Sequence, residues 1–176
     1  MTKLFVTVMV SLFLYGCASM NKDECKMADW KNRGRMDGLE GRPSEFLASH
    51  TKACSEHGIK PDAKLYQVGR KEGIQSYCTP RNGLAHGKGG KTYSMGTCPS
   101  KLEGPYFLQF KMGEGIYKNN KEIERLTQLM AANDKRIISY KTSSSDRENY
   151  LNKNKGYQRR IDALKKEMYL LKGNVF

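Results

Sequence analysis

The sequence predicts a mostly α-helical protein. A disulfide-stapled helical head with a long glycine-rich loop should be followed by an antiparallel two-helix coiled-coil hairpin. Three observations point there. Glycines recur four residues apart, at Gly34 and Gly38 and again at Gly69 and Gly73. Cysteines 25, 54, 78 and 98 form an even set once a fifth, N-terminal cysteine is set aside. Apolar residues recur at intervals of seven through the C-terminal third.

At the N-terminus, Lys3 supplies one positive charge, and Leu4 to Leu14 follow with only Thr7 and Ser11 polar. This is the pattern of an export signal, too short to remain as a membrane span. It ends in Leu14-Tyr15-Gly16-Cys17. These four residues resemble the lipobox of bacterial lipoproteins, although Tyr15 is bulkier than the small residue usual there. The resemblance implies that residues 1–16 are a signal peptide and are removed. It also implies that Cys17 takes a diacylglyceryl thioether and that the new amino group is acylated. An N-terminal buried strand is the competing reading. Acyl chains hold to a bilayer by about 0.8 kcal/mol per buried methylene, so several of them make a firm anchor. Residues 17–20 would be the tether. Ala18, where Asp tends to retain such proteins in the inner membrane, looks like an outer-membrane address. The expected location is therefore the bacterial outer membrane, lipid-anchored and facing the periplasm.

The chain carries 31 Lys and Arg against 18 Asp and Glu, a net charge of +13. Losing Lys3 with the signal leaves +12. Such an excess favours anionic partners: phospholipid headgroups, lipopolysaccharide or peptidoglycan carboxylates rather than nucleic acid. The alternative is a merely repulsive, soluble surface. In an oxidising compartment the four remaining cysteines should form two disulfides. Their connectivity is open, with Cys78–Cys98 and Cys25–Cys54 favoured.

The head is expected over 21–104. Asn21 and Glu24 can form a capping box, opening a helical stretch. Trp30, Gly34 and Gly38 then share one helix face. Pro43 and Ser44 open a helix from Glu45 to His57, ended by Gly58. Pro61-Asp62 caps another, from Ala63 to about Tyr77, with Gly69 and Gly73 on one face. The two glycine-bearing stretches read as a weak repeat at a spacing of 35. A glycine inside a helix costs about 1 kcal/mol relative to Ala, so matched pairs suggest close helix–helix contact at Trp30, Gly34, Gly38, Gly69 and Gly73.

These residues resemble a family of small Gram-negative envelope lipoproteins catalogued as domain of unknown function 2799. The likeness rests on Trp30, Gly34, Asp37, Gly38, Cys54, Tyr66, Gly69, Arg70, Gly73, Tyr77, Cys78, Gly87, Tyr93, Cys98 and Pro99, and covers roughly 20–117. It implies an envelope lipoprotein and brings no catalytic residue with it.

From Cys78 to Gly104 the prolines and glycines predict a long loop, which a Cys78–Cys98 bridge would close. The hairpin is expected over 105–176. A helix should run from Pro105 to about Lys141, and a second from Ser145, through a capping box with Glu148, to about Lys172, with Gly173 as its C-cap. The seam would comprise Ile116, Ile123, Leu126, Met130, Ile137, Tyr150, Tyr157, Ile161, Leu164 and Leu171. Facing residue numbers share one total, 287, and the same total sets Asn133 opposite Asn154 as a polar layer. Two independent amphipathic helices are the alternative.

Little chemistry is implied. Gly89-Gly90-Lys91-Thr92 lacks the glycine a phosphate loop needs, since Ala85 stands there. His50, Cys54 and His57 have zinc-like spacing, but Cys54 has disulfide partners. No metal, cofactor or catalysis is expected. The leading reading is a structural or protein-interaction lipoprotein that meets an envelope partner through the hairpin. A second is a module binding peptidoglycan or lipopolysaccharide through Arg81, Lys88, Lys91 and Lys101. A third is a hydrolase using Asp37 or Glu72, should their helices pair the two carboxylates.

Overall fold

A computed structural model describes residues 20–173, and no strand occurs among them. The signal segment, Cys17, Ala18 and the end of the tether before Met20 lie outside the described residues, as do the last three residues. The described chain divides between Tyr77 and Cys78 into two compact units, not at residue 104. The glycine-rich segment expected to close the head belongs with the long helices instead.

The first unit holds α1 (Lys22–Lys26), α2 (Trp30–Leu39), a 3-10 turn (Ser44–Phe46), α3 (Leu47–Ser55) and α4 (Ala63–Tyr77). Five-residue α1 forms because its cap is complete. The Glu24 N–H donates to the Asn21 side chain at 2.9 Å, and the Asn21 N–H to the Glu24 carboxylate at 2.7 Å. Asp29 caps α2 through the Asn32 N–H, and Asp62 caps α4 through the Leu65 N–H. Met20, Cys25, Trp30, Cys54 and Tyr66 form the core, crossed by the Cys25–Cys54 disulfide.

Helices α2 and α4 touch backbone to backbone. A Cβ on Gly69 would overlap the Lys31 carbonyl oxygen, and one on Gly38 would lie 2.5 Å from the Arg70 oxygen and 2.7 Å from the Ile74 nitrogen. At these glycines no side chain larger than hydrogen fits, which is why the helix cost of glycine is tolerated here.

The second unit holds α5 (Pro80–Lys88), α6 (Ser100–Ile137) and α7 (Ser144–Gly173), with the Cys78–Cys98 disulfide. The expected loop is therefore helical over Pro80–Lys88 and again from Ser100 onward. Thr79 caps α5 through the Asn82 N–H at 3.2 Å, and Pro80 occupies the first turn, where its missing N–H costs nothing. Its glycines face α6: added Cβ atoms on Gly83 and Gly87 would strike the Tyr106 and Phe110 carbonyl oxygens. Packing thus overrides the low helix propensity.

This second pair copies the first. Gly34, Gly38 and Gly41 correspond to Gly83, Gly87 and Gly90, each 49 residues later. Tyr66, Gly73 and Tyr77 correspond to Tyr106, Gly113 and Tyr117, each 40 later. Contacts correspond as well. Gly41 and Gly90 have φ of 72° and 67°, and each lies on a tyrosine ring, of Tyr77 and Tyr117 respectively. The repeat at a spacing of 35 relates the two partners of one pair; the duplication relates that pair to a second one.

Helix α6 starts at Ser100, before Pro105, because the loop is tied to its first turns. The Glu103 carboxylate accepts from the Tyr93 hydroxyl at 2.9 Å and the Gly96 N–H at 2.5 Å. At 38 residues, α6 is about 57 Å long. Its N-terminal part packs on α5 and its C-terminal part on α7. Leu126, Ile161 and Leu164 are buried between α6 and α7, with Ile123, Met130 and Tyr157 beside them. Touching residues descend along α7 as they ascend along α6: Asn133 donates to Asn154 at 2.8 Å, and Arg136 to the Tyr150 hydroxyl at 2.9 Å. The cap of α7 is Ser143 with Asp146, not Ser145 with Glu148. The Asp146 N–H donates to the Ser143 hydroxyl, which donates back to the Asp146 carboxylate at 2.7 Å.

Candidate functional site

Asp37 lies on the glycine face of α2, between Gly34 and Gly38 in the helix turn that meets α4. Its side chain is buried at 8% exposure. One oxygen, Oδ2, receives the Tyr66 hydroxyl from α4 at 2.8 Å and lies 2.8 Å from His50 Nε2 of α3. With its proton on Nε2, the imidazole donates to the carboxylate. The His50 ring is wedged edge-on against Phe46 and Tyr66, at centroid distances of 5.1 and 5.9 Å. Burial, and then the hydrogen bond to Asp37, push the Tyr66 hydroxyl well above its ordinary range, so it remains a donor. His50 and Tyr66 are 2% and 0% exposed. The cluster has the residue types of an acid–base site, but it is sealed. It ties three helices together and offers no face to a substrate.

The second unit has a counterpart. His86 stands where Asp37 would, and its Nδ1 lies 2.9 Å from the Tyr106 hydroxyl. Burial, followed by the charge of Lys91, holds the His86 imidazole below its usual titration range.

Glu72 is not a partner of Asp37. It lies at the surface, half-exposed, in an ion pair with Lys31 at 2.8 Å. The paired-carboxylate arrangement required by the hydrolase reading is therefore absent from this interface. Cys54 is in a disulfide and His57 is exposed, so the zinc-like spacing yields no common centre. No group of three or more metal-binding side chains occurs among the described residues.

The four cations proposed for anion binding are dispersed. Arg81 and Lys88 lie exposed on α5, Lys91 just beyond it, and Lys101 at the start of α6. Lys91 joins a groove, together with two lysines the sequence reading missed. That groove has Tyr93, Phe107, Phe110 and Tyr117 among its lining, and Lys91, Lys111 and Lys118 around it. Glu114 bridges the last two, pairing with Lys111 and lying 2.9 Å from Lys118. The available signal was the spacing of 111, 114 and 118, which places them on one face of the helix already expected from Pro105.

The expected contact glycines and Trp30 all line the α2–α4 side of the first unit, buried. Of the ten seam positions, Ile116, Leu126, Ile161 and Leu164 are buried. Ile123, Met130, Ile137, Tyr150, Tyr157 and Leu171 are half-buried. Several large apolar side chains on α6, α7 and their connection point outward, including Ile138, Tyr140 and Tyr169 at 82%, 89% and 77% exposure.

Residues 29–115 match the model of a family described as protein of unknown function (DUF2799), a span running from the N-cap of α2 into α6 and so including both glycine-packed helix contacts. No curated protein and no solved structure matches the chain.

Proposed function

Because the domain at residues 29–115 belongs to the DUF2799 family, which is defined without an activity, we propose its role from the chain's own geometry. In this reading the protein is a lipid-anchored lipoprotein of the bacterial outer membrane that faces the periplasm. It acts as a structural or protein-interaction module, without catalysis. Lipidation at Cys17 fixes it to the bilayer, and the two disulfides suit an oxidising compartment. The α6–α7 pair, read as a coiled-coil hairpin, presents the surface that an envelope partner meets.

The observation that supports this most is the continuity of α6. One unbroken helix is locked at its start against α5 by glycine contacts and carries α7 along its remainder. A docking surface on a rigid element loses little conformational entropy when a partner binds. Exposed Leu129, Leu151, Tyr169 and Leu170 give that surface apolar character.

Photo-crosslinking amino acids at Leu129, Leu151 and Tyr169, introduced one at a time into the full chain in cells, should give one discrete protein adduct. The same group at exposed Leu65 or Val68 of the first unit should not. Adducts of equal yield from both sets, or none from α6 and α7, would contradict the reading.

A further inference from the structure

We infer that the groove between the loop after α5 and the adjoining face of α6 binds an acidic glycan. A saccharide ring would lie on its aromatic floor, with a ring carboxylate among Lys91, Lys111 and Lys118. This stands independently of the role of α6 and α7 as a docking surface.

The duplication identifies the groove as the place where the two copies differ. In the first unit, Arg70 reaches across and donates to the Arg42 carbonyl oxygen at 2.8 and 3.1 Å. The Arg42 guanidinium in turn sits 4.7 Å above the Phe46 ring. The chain's own cations therefore fill that position. At the matching offsets, Arg70 becomes Phe110 and Arg42 becomes Lys91. A guanidinium that tied down the loop is replaced by the buried Phe110 ring, which underlies the partly exposed Tyr93 and Phe107, and Lys91 stands at the groove's edge.

The floor is ordered before any ligand arrives. Phe107 and Phe110 are near-parallel, with centroids 6.4 Å apart, and Tyr93 lies 5.9 and 5.6 Å from them. Tyr93 is itself fixed by its hydrogen bond to Glu103. Aromatic faces attract the weakly positive C–H face of a pyranose ring.

The rim chooses the ligand. Three lysines and one glutamate give a local charge of +2. That density suits a singly charged carboxylate per ring better than a phosphodiester chain. Glu114, held by Lys111 and Lys118, places an acceptor among donors, as a polyhydroxylated ring requires. The groove is open to solvent rather than enclosed, which leaves room for a polymer.

The test uses the full mature chain, with amide NMR shifts to locate binding. The probes are amino-sugar oligosaccharides released from peptidoglycan by a muramidase and stripped of their stem peptides by an amidase, which frees the sugar carboxylates, together with neutral N-acetylglucosamine oligosaccharides of equal length and single-stranded oligonucleotides. The acidic fragments should shift Lys91, Thr92, Phe107 and Lys118. Affinity should fall about tenfold on Lys91→Glu or Lys118→Glu, the loss of one charge-assisted contact. Both lysines are exposed, so neither substitution threatens the fold. Binding of the neutral series with equal affinity would overturn the inference. So would tighter binding of the oligonucleotide, shifts confined to another surface, or charge-reversal variants that bind as well as the parent.

Discussion

Gly69→Ala is expected to destabilise the first unit by about 3 kcal/mol or more, at or above the upper end of the usual overpacking range. The reason is the identity of the obstacle. The added methyl would meet the Lys31 carbonyl oxygen and the Arg35 nitrogen, which are backbone atoms of α2 and cannot rotate aside. The two helices must separate, and Gly34, Gly38 and Gly73 then lose their contacts together. Against a typical stability of about 5–15 kcal/mol, that loss is large. Helix propensity alone predicts the opposite sign, since Ala is favoured over Gly by about 1 kcal/mol. Gly156→Ala isolates that term: Gly156 lies in α7 with nothing within 4 Å of an added Cβ. It should stabilise by about 0.5–1 kcal/mol. Trp30, the only tryptophan, lies on α2 and reports the first unit in urea denaturation. A Gly69→Ala variant as stable as the parent would disprove backbone contact between α2 and α4.

Asp37→Ala should cost about 3–5 kcal/mol, the range for removing one member of a buried charged cluster. It deprives both His50 Nε2 and the Tyr66 hydroxyl of the same acceptor atom, in a buried site. The coupling is checkable. Tyr66→Phe in the Asp37→Ala background should cost less than in the parent, because the orphaned hydroxyl is removed with its penalty. Strict additivity in urea denaturation would mean that Tyr66 and Asp37 do not share the bond.

What was legible in the sequence followed from local rules. The Asn21–Glu24 cap needs only residues three apart, and the disulfides need only an even count in an oxidising setting. The glycine spacing at 34, 38, 69 and 73 pointed to close helix contact because glycine inside a helix is otherwise unfavourable. The same rule applied at Gly83 and Gly87 would have found α5. There the surrounding prolines and glycines read as breakers, although Thr79-Pro80 is a helix start. The Asp37–His50–Tyr66 cluster was not legible. Its members are 13 and 29 residues apart, and each fits an ordinary role: a surface carboxylate, a half-apolar histidine, an aromatic on a stripe. The groove was hidden for a related reason, since Phe110 and Lys111 acquire their meaning only when Arg70 is seen to occupy the matching position.

The proposed partner surface depends on α7 folding back along α6 in solution. The direct measurement is the distance between spin labels at Arg125 and Asp162, two exposed positions flanking the Leu126–Ile161 contact. Labels attached through unnatural amino acids leave the disulfides intact. With helix axes about 8–10 Å apart, the labels should lie within about 10–25 Å of each other. If the two helices instead ran on as an extended arm, the 37-position separation of the labels would place them about 55 Å apart. A distribution centred near that longer distance would mean that the surface assigned to a partner does not exist.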